Sequence, residues 1–511
     1  MAKYYLKHLI LFIFTNSQIV AQGISNNWIL GYWPIPLYNA ASAKGKIDFY
    51  SGSAVVSPFT TKMPFRRTQA NISDANGNLL MSSNGIFVAN ALGDTMQNGA
   101  GLSPDPYHIN NYSISGLKLP NSNLILPFPD DSSKYILFHQ SILMDSLFCC
   151  NMKLYYSIID MNLDGGKGAL IQKNILLPLP RLSGGLAACK HANGRDWWIL
   201  AVQDTSNVIW KFLLTPQGIV TITSQTFPTI LTNHGNSSQS CFSPDGTHFA
   251  FSTGRWDTSL FQWVSYIRYF NFNRCSGVLS EQVDIPYPDT EICWGLCFSP
   301  NSQYLFASSK HAIFQINSTA VNIAASIDTV ALYDGFVTPP GNYSNEFDML
   351  YLAGDGIIYA STYSGTLNLH RINYPDSAGM ACNVEQHILS IPCYNGPTAP
   401  NHPNYFLGAD SGSVCDTLLG VKNKVLNRLN NSLKLFPNPV QDVLSLTYTP
   451  SEKSKLLEVY NVDGKLVLTC NLPAWSQMQN IDVSDLPDGL YLCKLHQSPK
   501  FNCAKFVKSC Q

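Results

Sequence analysis

The sequence predicts an all-β chain: a six- or seven-bladed β-propeller followed by a small antiparallel, immunoglobulin-like β-sandwich. A repeat of strand-sized pieces through the middle supports the first part. A run of short alternating strands at the C-terminus supports the second. The composition fits both, since 45% of the 511 residues are apolar and 12% aromatic, while only 13% are charged. Such a chain buries a large core. Its length exceeds one ordinary core, so repeats are the first thing to look for.

The repeat is clearest in SCFSPDGTHFAFSTG, from Ser240 to Gly254, and LCFSPNSQYLFASSK, from Leu296 to Lys310. Each is a polar turn followed by an alternating strand. Cys189, Cys241 and Cys297 mark three copies, 52 and 56 residues apart. Weaker copies begin at Ile72, Phe128, Ala188 and Leu350. A second element recurs with them: an alternating strand and a glycine turn, at Ile159, Phe212, Phe270 and Ile372. Asn, Asp and Gly supply the turns, because they tolerate the positive φ such turns need. A unit of roughly 50 residues with about four strands buries its faces only against its neighbours, and radial stacking leaves short, protected edges. Separate sandwiches are the alternative, but no linker composition divides the units.

The N-terminus reads as a leader. Lys3 and Lys7 precede the apolar run Leu9 to Phe14, and Ala21 offers a cleavage position. Residues 1–21 are expected to be a signal peptide. The apolar run falls short of the ~20 residues that span a bilayer, and no transmembrane segment is expected elsewhere. The net charge of −1 gives no electrostatic case for a nucleic-acid partner. An exported chain with 14 cysteines should form disulfides, and Cys382 with Cys393 is the expected pair. Among Cys470, Cys493, Cys503 and Cys510, three pairings stay open.

Chemical motifs are scarce. Ser243-Pro244-Asp245-Gly246 lacks the tryptophan and spacing of a sialidase Asp-box and reads as a turn. Asp74 to Asn78 resembles the first half of a calcium loop but lacks its bidentate glutamate. His191, His234, His311 and His402 have no paired metal spacing. No catalytic residue, metal ligand or cofactor is expected. Trp197, Trp198, Trp256, Trp263 and Trp294 are either core packing or a sugar-binding surface.

After a polar linker at 419–434, the stretch LFPNPVQDVLSL opens the last unit, residues 435–511. Pro437 and Pro439 bracket Asn438 and should act as a stiff, non-helical hinge. VDGK is a two-residue hairpin signal. Four pieces follow in order: Phe436-Pro437-Asn438-Pro439; a turn with Asp463, Gly464 and Lys465; a strand opening with Gly489 and Tyr491; and Lys505-Phe506-Val507-Lys508. With these motifs the unit resembles the type A C-terminal sorting domain of bacterial type IX secretion cargo. The resemblance implies export through the periplasm, recognition by the outer-membrane translocon, and release or attachment at the cell surface. The body, 22–418, resembles exported propellers of undefined activity. Its expected role is non-enzymatic binding of a protein or glycan at the propeller face. The alternative is a polysaccharide- or peptide-degrading hydrolase or lyase. Two carboxylates about 5–10 Å apart in the propeller mouth would favour the alternative.

Overall fold

The computed structural model describes residues 23–32, 44–105, 108–110, 115–144, 150–228, 239–339, 342–416, 433–449, 451, 453–476, 478–497 and 500–509. The expected signal peptide and nearly all of the expected linker lie outside them.

The repeat signal has a local cause. In the SPDG turn, Ser243 Oγ donates to Asp245 Oδ1 at 2.5 Å, and Asp245 Oδ1 accepts the Thr247 amide at 2.9 Å. Gly246 supplies φ +74°. One unit further on, Ser299 Oγ donates to Asn301 at 2.6 Å and accepts the Tyr304 amide at 2.9 Å. Both turns close the hairpin between the first two strands of a blade. The loop at Asp74 is the same device, its carboxylate accepting the Asn76 and Asn78 amides.

Apart from a short hairpin of Val337–Thr338 and Tyr343–Ser344, the body strands form seven successive antiparallel units among the described residues. The first holds Asn27–Leu30, Lys44–Asp48 and Val55–Phe59. The other six have four strands each, and their inner strands are Ala70–Ser73, Asn123–Pro127, Leu182–Lys190, Ser240–Phe242, Gly295–Phe298 and Phe347–Leu352. Single bridges at the edges, such as Ala169 with Gln97, join units two to four into a larger sheet. The aromatic and aliphatic cores lie between neighbours. Trp198 packs with Phe249 and Phe270, Leu305 with Tyr269, and Phe306 with Leu350. Trp28, Phe49, Tyr351 and Tyr359 then join the seventh unit to the first, which closes the ring. This is a seven-bladed propeller.

The first blade is completed by the other end of the body. Asn27 reaches Ser73 while Gln69 reaches the Ile29 carbonyl, so Asn27–Leu30 runs opposite to the inner strand beside it. It is the second strand of its blade. The innermost place goes to residues 396–407, entered where Tyr32 N donates to Tyr394 O at 2.6 Å and Gly31 N to Asn395 Oδ1 at 3.3 Å. Pro397, Pro400 and Pro403 lack amide hydrogens, so this segment cannot form a ladder. Its side chains bond instead. Asn401 donates to Leu186 O at 2.8 Å, Asn404 to Pro244 O at 2.8 Å and Tyr405 Oη to Ile125 O at 2.9 Å, while His402 Nε2 lies 2.7 Å from Asn71 O. Four blades are thereby tied to one segment running down the channel.

The segment leaves beside Arg274, which donates to Gly408 O, and ends at a disulfide between Cys275 and Cys415, 140 residues apart. The expected Cys382–Cys393 bridge is corrected: both cysteines are free and buried, in different core clusters. They sit at opposite ends of the strand Val384–Asn395. An extended strand of that length separates them by about 30 Å, far beyond disulfide reach. Cys470, Cys493 and Cys503 are also free, and Cys510 lies outside the described residues.

The C-terminal unit is a two-sheet sandwich, with Lys434–Phe436, Val443–Thr447 and Met478–Asp482 in one sheet. Lys455–Tyr460, Leu466–Leu472, Gly489–Gln497 and Lys500–Lys508 form the other. Leu444, Leu457, Val459, Leu495 and Phe506 fill its core.

Candidate functional site

The two faces of the ring differ. The connections between blades, and the turns between second and third strands, make the upper face. The turns between first and second and between third and fourth strands make the lower face.

At the upper mouth, side chains from several blades meet. Arg66 and Arg67 lie on the connection from the first blade to the second, anchored by Arg67 N donating to Leu117 O at 3.1 Å. Lys118 stands on the next connection. Lys310 and Tyr363 occupy upper turns of the sixth and seventh blades. The Arg67 guanidinium lies 5.6 Å from both the Trp294 and the Tyr363 ring centroids. Lys310 Nζ stands 4.0 Å from that of Tyr363. Ring faces attract cations electrostatically, so these contacts fix the two charges in place without neutralising them.

Asp348 lies on the inner strand just below. It is 0% exposed, and neither carboxylate oxygen has a hydrogen-bond partner among the described residues. The neighbouring Met349 amide donates to Ser361 Oγ instead, at 3.1 Å. Burial pushes the Asp348 carboxyl up to about 7, against the opposing pull of Arg67 and Lys310.

The lower end of the channel holds a cavity of about 160 Å³, lined by Cys189, Cys241, Cys297, His402, Trp475 and Met478 among others. The three cysteines that mark the sequence repeat therefore sit at matching places on three inner strands. Burial pushes the Cys189 and Cys297 thiols up to about 12, so they stay protonated and behave as small core residues. Trp475 and Met478 belong to the small domain. Arg274 lies 5.9 Å from the Trp475 ring, and Phe436 packs where a Cβ on Gly52 would not fit. The small domain thus caps the lower face, which is closer contact than an independent unit on a polar linker would make.

The sorting motifs come together in space. Phe436 ends the first strand. Asn438 is no free hinge, because its Nδ2 donates to Lys505 O at 3.2 Å and its Oδ1 accepts the Val507 amide at 2.9 Å. Val440 N donates to Val507 O at 2.8 Å. Pro437 and Pro439 therefore shape a turn that fastens the first strand to the last. Phe506 and Lys508 point inward, while Lys505 and Val507 point outward. Tyr491 stacks on Phe506 at 5.2 Å and donates to Pro487 O at 2.6 Å, in the strand begun by Gly489. Asp463, Gly464 and Lys465 form a hairpin turn, with Asn461 Oδ1 accepting the Asp463 and Lys465 amides and Gly464 at φ +76°.

Of the tryptophans, Trp197 and Trp198 are core, Trp198 Nε1 donating to Arg274 O at 2.8 Å. Only Trp294 reaches the upper mouth among those whose side chains are described. His191 Nε2 lies 3.0 Å from Cys275 O, and His402 is part of the channel segment. His234 lies outside the described residues. The sequence reading missed Arg66, Arg67, Lys118, Lys310 and Asp348, because they are spread over two connections, a turn and an inner strand of different blades.

Residues 434–509 match the secretion system C-terminal sorting domain family. No curated protein matches the chain. Among solved structures, a quinoprotein alcohol dehydrogenase-like protein from Bacteroides thetaiotaomicron is 12% identical, with 74% of this chain and 77% of that one covered at a TM-score of 0.35. A structural genomics protein of unknown function from the same organism is 9% identical, with 73% and 86% covered at 0.28. A loop-replaced variant of KlHsv2 is 11% identical, with 65% and 87% covered at 0.30. Among the described residues no helix is long and apolar enough to cross a membrane. The last unit is a secretion system C-terminal sorting domain, and the chain is a type IX secretion cargo with a propeller body, exported to the cell surface or released.

Proposed function

We propose that the body, residues 22–418, is a non-enzymatic binding module that takes a glycan or protein ligand at the upper mouth. Residues 1–21 are the leader, 419–434 the tether and 435–511 the removable address. The observation that carries the reading is the mouth itself. Its walls are aromatic rings and long cations held on those rings, with one buried carboxylate below. That set suits recognition, in which rigid rings give contact area and fixed charges give orientation. The lower face is covered by the small domain, which leaves the upper face for a partner during export.

The address reading rests on the motif residues. Asn438, Lys505 and Val507 bring the two ends of the sorting domain to one edge, where a translocon would meet both at once. Tyr491 and Phe506 hold that edge from inside.

The test is a glycan and peptide array probed with the purified body, with hydrolysis assayed on every hit. Binding without turnover supports the module. Turnover of any polysaccharide or peptide would overturn it in favour of a hydrolase or lyase.

A further inference from the structure

We infer that the upper mouth contains an anion subsite for an acidic sugar residue, whose donors are Arg67 and Lys310, with Arg66 and Lys118 adding positive charge to its lining. The inference rests on the binding reading above and narrows it to one ligand class.

The cations come from three separate segments, two connections and one upper turn, yet converge. Arg66, Arg67 and Lys118 line one cavity of about 120 Å³, together with Tyr32, Tyr363 and Gly396. Lys310 adjoins it across the Tyr363 ring. In a chain of net charge −1, with only 13% charged residues, such convergence is not a reflection of overall composition. Like charges brought together repel, and their gathering has to be offset. Here ring faces hold Arg67 and Lys310, which stabilises them while leaving their donors directed elsewhere.

Asp348 is the second, independent observation. A buried carboxylate beneath two cations would ordinarily pair with them through hydrogen bonds. It does not: both oxygens lack partners and no ion pair joins it to Arg67 or Lys310 among the described residues. Arg67 and Lys310 therefore keep their donors for something that enters from outside, while the buried acid favours the accumulation of positive charge at a distance.

Size and shape narrow the ligand. The cavity has the volume of about four waters, enough for a carboxylate or sulfate group and the ring carbons that carry it. Gly396 sits where an added Cβ would meet the Tyr32 ring and the Arg66 carbonyl, each at 3.0 Å. The glycine lets the chain pass close and keeps Tyr32 as the cavity wall. An arginine fork with an adjacent ring plane suits a planar carboxylate on a sugar ring. Uronates and sulfated sugars share this chemistry, and the experiment separates them.

Calorimetry would be run on the secreted protein with oligogalacturonate, sulfated dextran, neutral dextran and poly-glutamate. The expected result is binding to an acidic saccharide, none to neutral dextran, and loss of affinity as salt rises. Arg67→Gln and Lys310→Gln should each weaken binding by about tenfold or more, with Lys173→Gln on an outer strand as the unaffected control. Preference for oligogalacturonate assigns a uronate, and preference for sulfated dextran a sulfate ester. Lys118→Gln, at an exposed position, serves if Arg67→Gln fails to fold. Three results would overturn the inference: equal binding of neutral dextran, variants that bind as the parent does, or poly-glutamate bound more tightly than either saccharide. If array hits are neutral and bind without turnover, the subsite fails while the binding module stands. Turnover would instead remove the module reading.

Discussion

Replacing Cys275 and Cys415 together by serine removes the covalent lock on the segment that closes the ring. The magnitude follows from chain length. The bridge closes a loop 140 residues long. The chain-entropy account gives roughly 5 kcal/mol for such a loop, near the top of the measured range of about 0–5 kcal/mol. The loss should not open the ring outright, because Asn401, His402, Asn404 and Tyr405 still bond four blades. The double variant should therefore fold, with its denaturation midpoint lowered by an amount equivalent to about 2–5 kcal/mol. The assay is urea unfolding of the secreted protein followed by tryptophan fluorescence, with and without reductant. Reductant should shift the parent to the variant's midpoint and leave the variant where it is. A parent midpoint insensitive to reductant, or a variant within about 0.5 kcal/mol of the parent, would refute the reasoning.

Tyr405→Phe leaves the Ile125 carbonyl unsatisfied deep in the ring and should cost about 1–3 kcal/mol in the same unfolding assay. Burial holds His402 at about 4, below its ordinary 6.5, so the unfolded state binds the extra proton first. Stability should fall as pH drops from 6.5 towards 4, and His402→Gln should flatten that part of the profile. Asp348 has the opposite sense. Its folded value of about 7 stands above the ordinary 3.8, so stability is lost as pH rises from 3.8 through 7. The loss is roughly 4 kcal/mol at most, and Asp348→Asn should be more stable than the parent at pH 8 and no more stable at pH 3.5, as thermal melts would record. Phe506→Ala empties the middle of the small sandwich, costs about 3–5 kcal/mol and should leave cargo in the periplasm, as fractionation would show.

The sequence made the blades legible because their cause is local. A Ser-x-Asp/Asn turn and an alternating strand fit within fifteen residues, and each copy repeats them. Ring closure was hidden for the opposite reason. Pro397, Pro400 and Pro403 erase the strand pattern of the closing segment, and its bonds reach blades hundreds of residues earlier. The disulfide followed the same rule. Cys382 and Cys393 were near in sequence but are held apart by a strand, whereas Cys275 and Cys415 are brought together by the whole ring. At the upper mouth, Arg66, Lys118 and Lys310 look like ordinary surface cations until the toroid gathers them. Asp348 looks like one polar position in an alternating strand. In the small domain the motifs were legible as a set. Only the fold shows that Asn438 fastens to Lys505 and Val507 instead of hinging.

Hydrogen exchange of the secreted protein, with and without an acidic oligosaccharide that binds it, tests the central claim most directly. The account predicts slowed exchange in the upper connections, residues 60–69, 309–311 and 363–366, with the lower turns at 243–247 and 353–357 unchanged. Protection confined to the lower turns, or spread evenly over the ring, would contradict a binding site at the upper mouth.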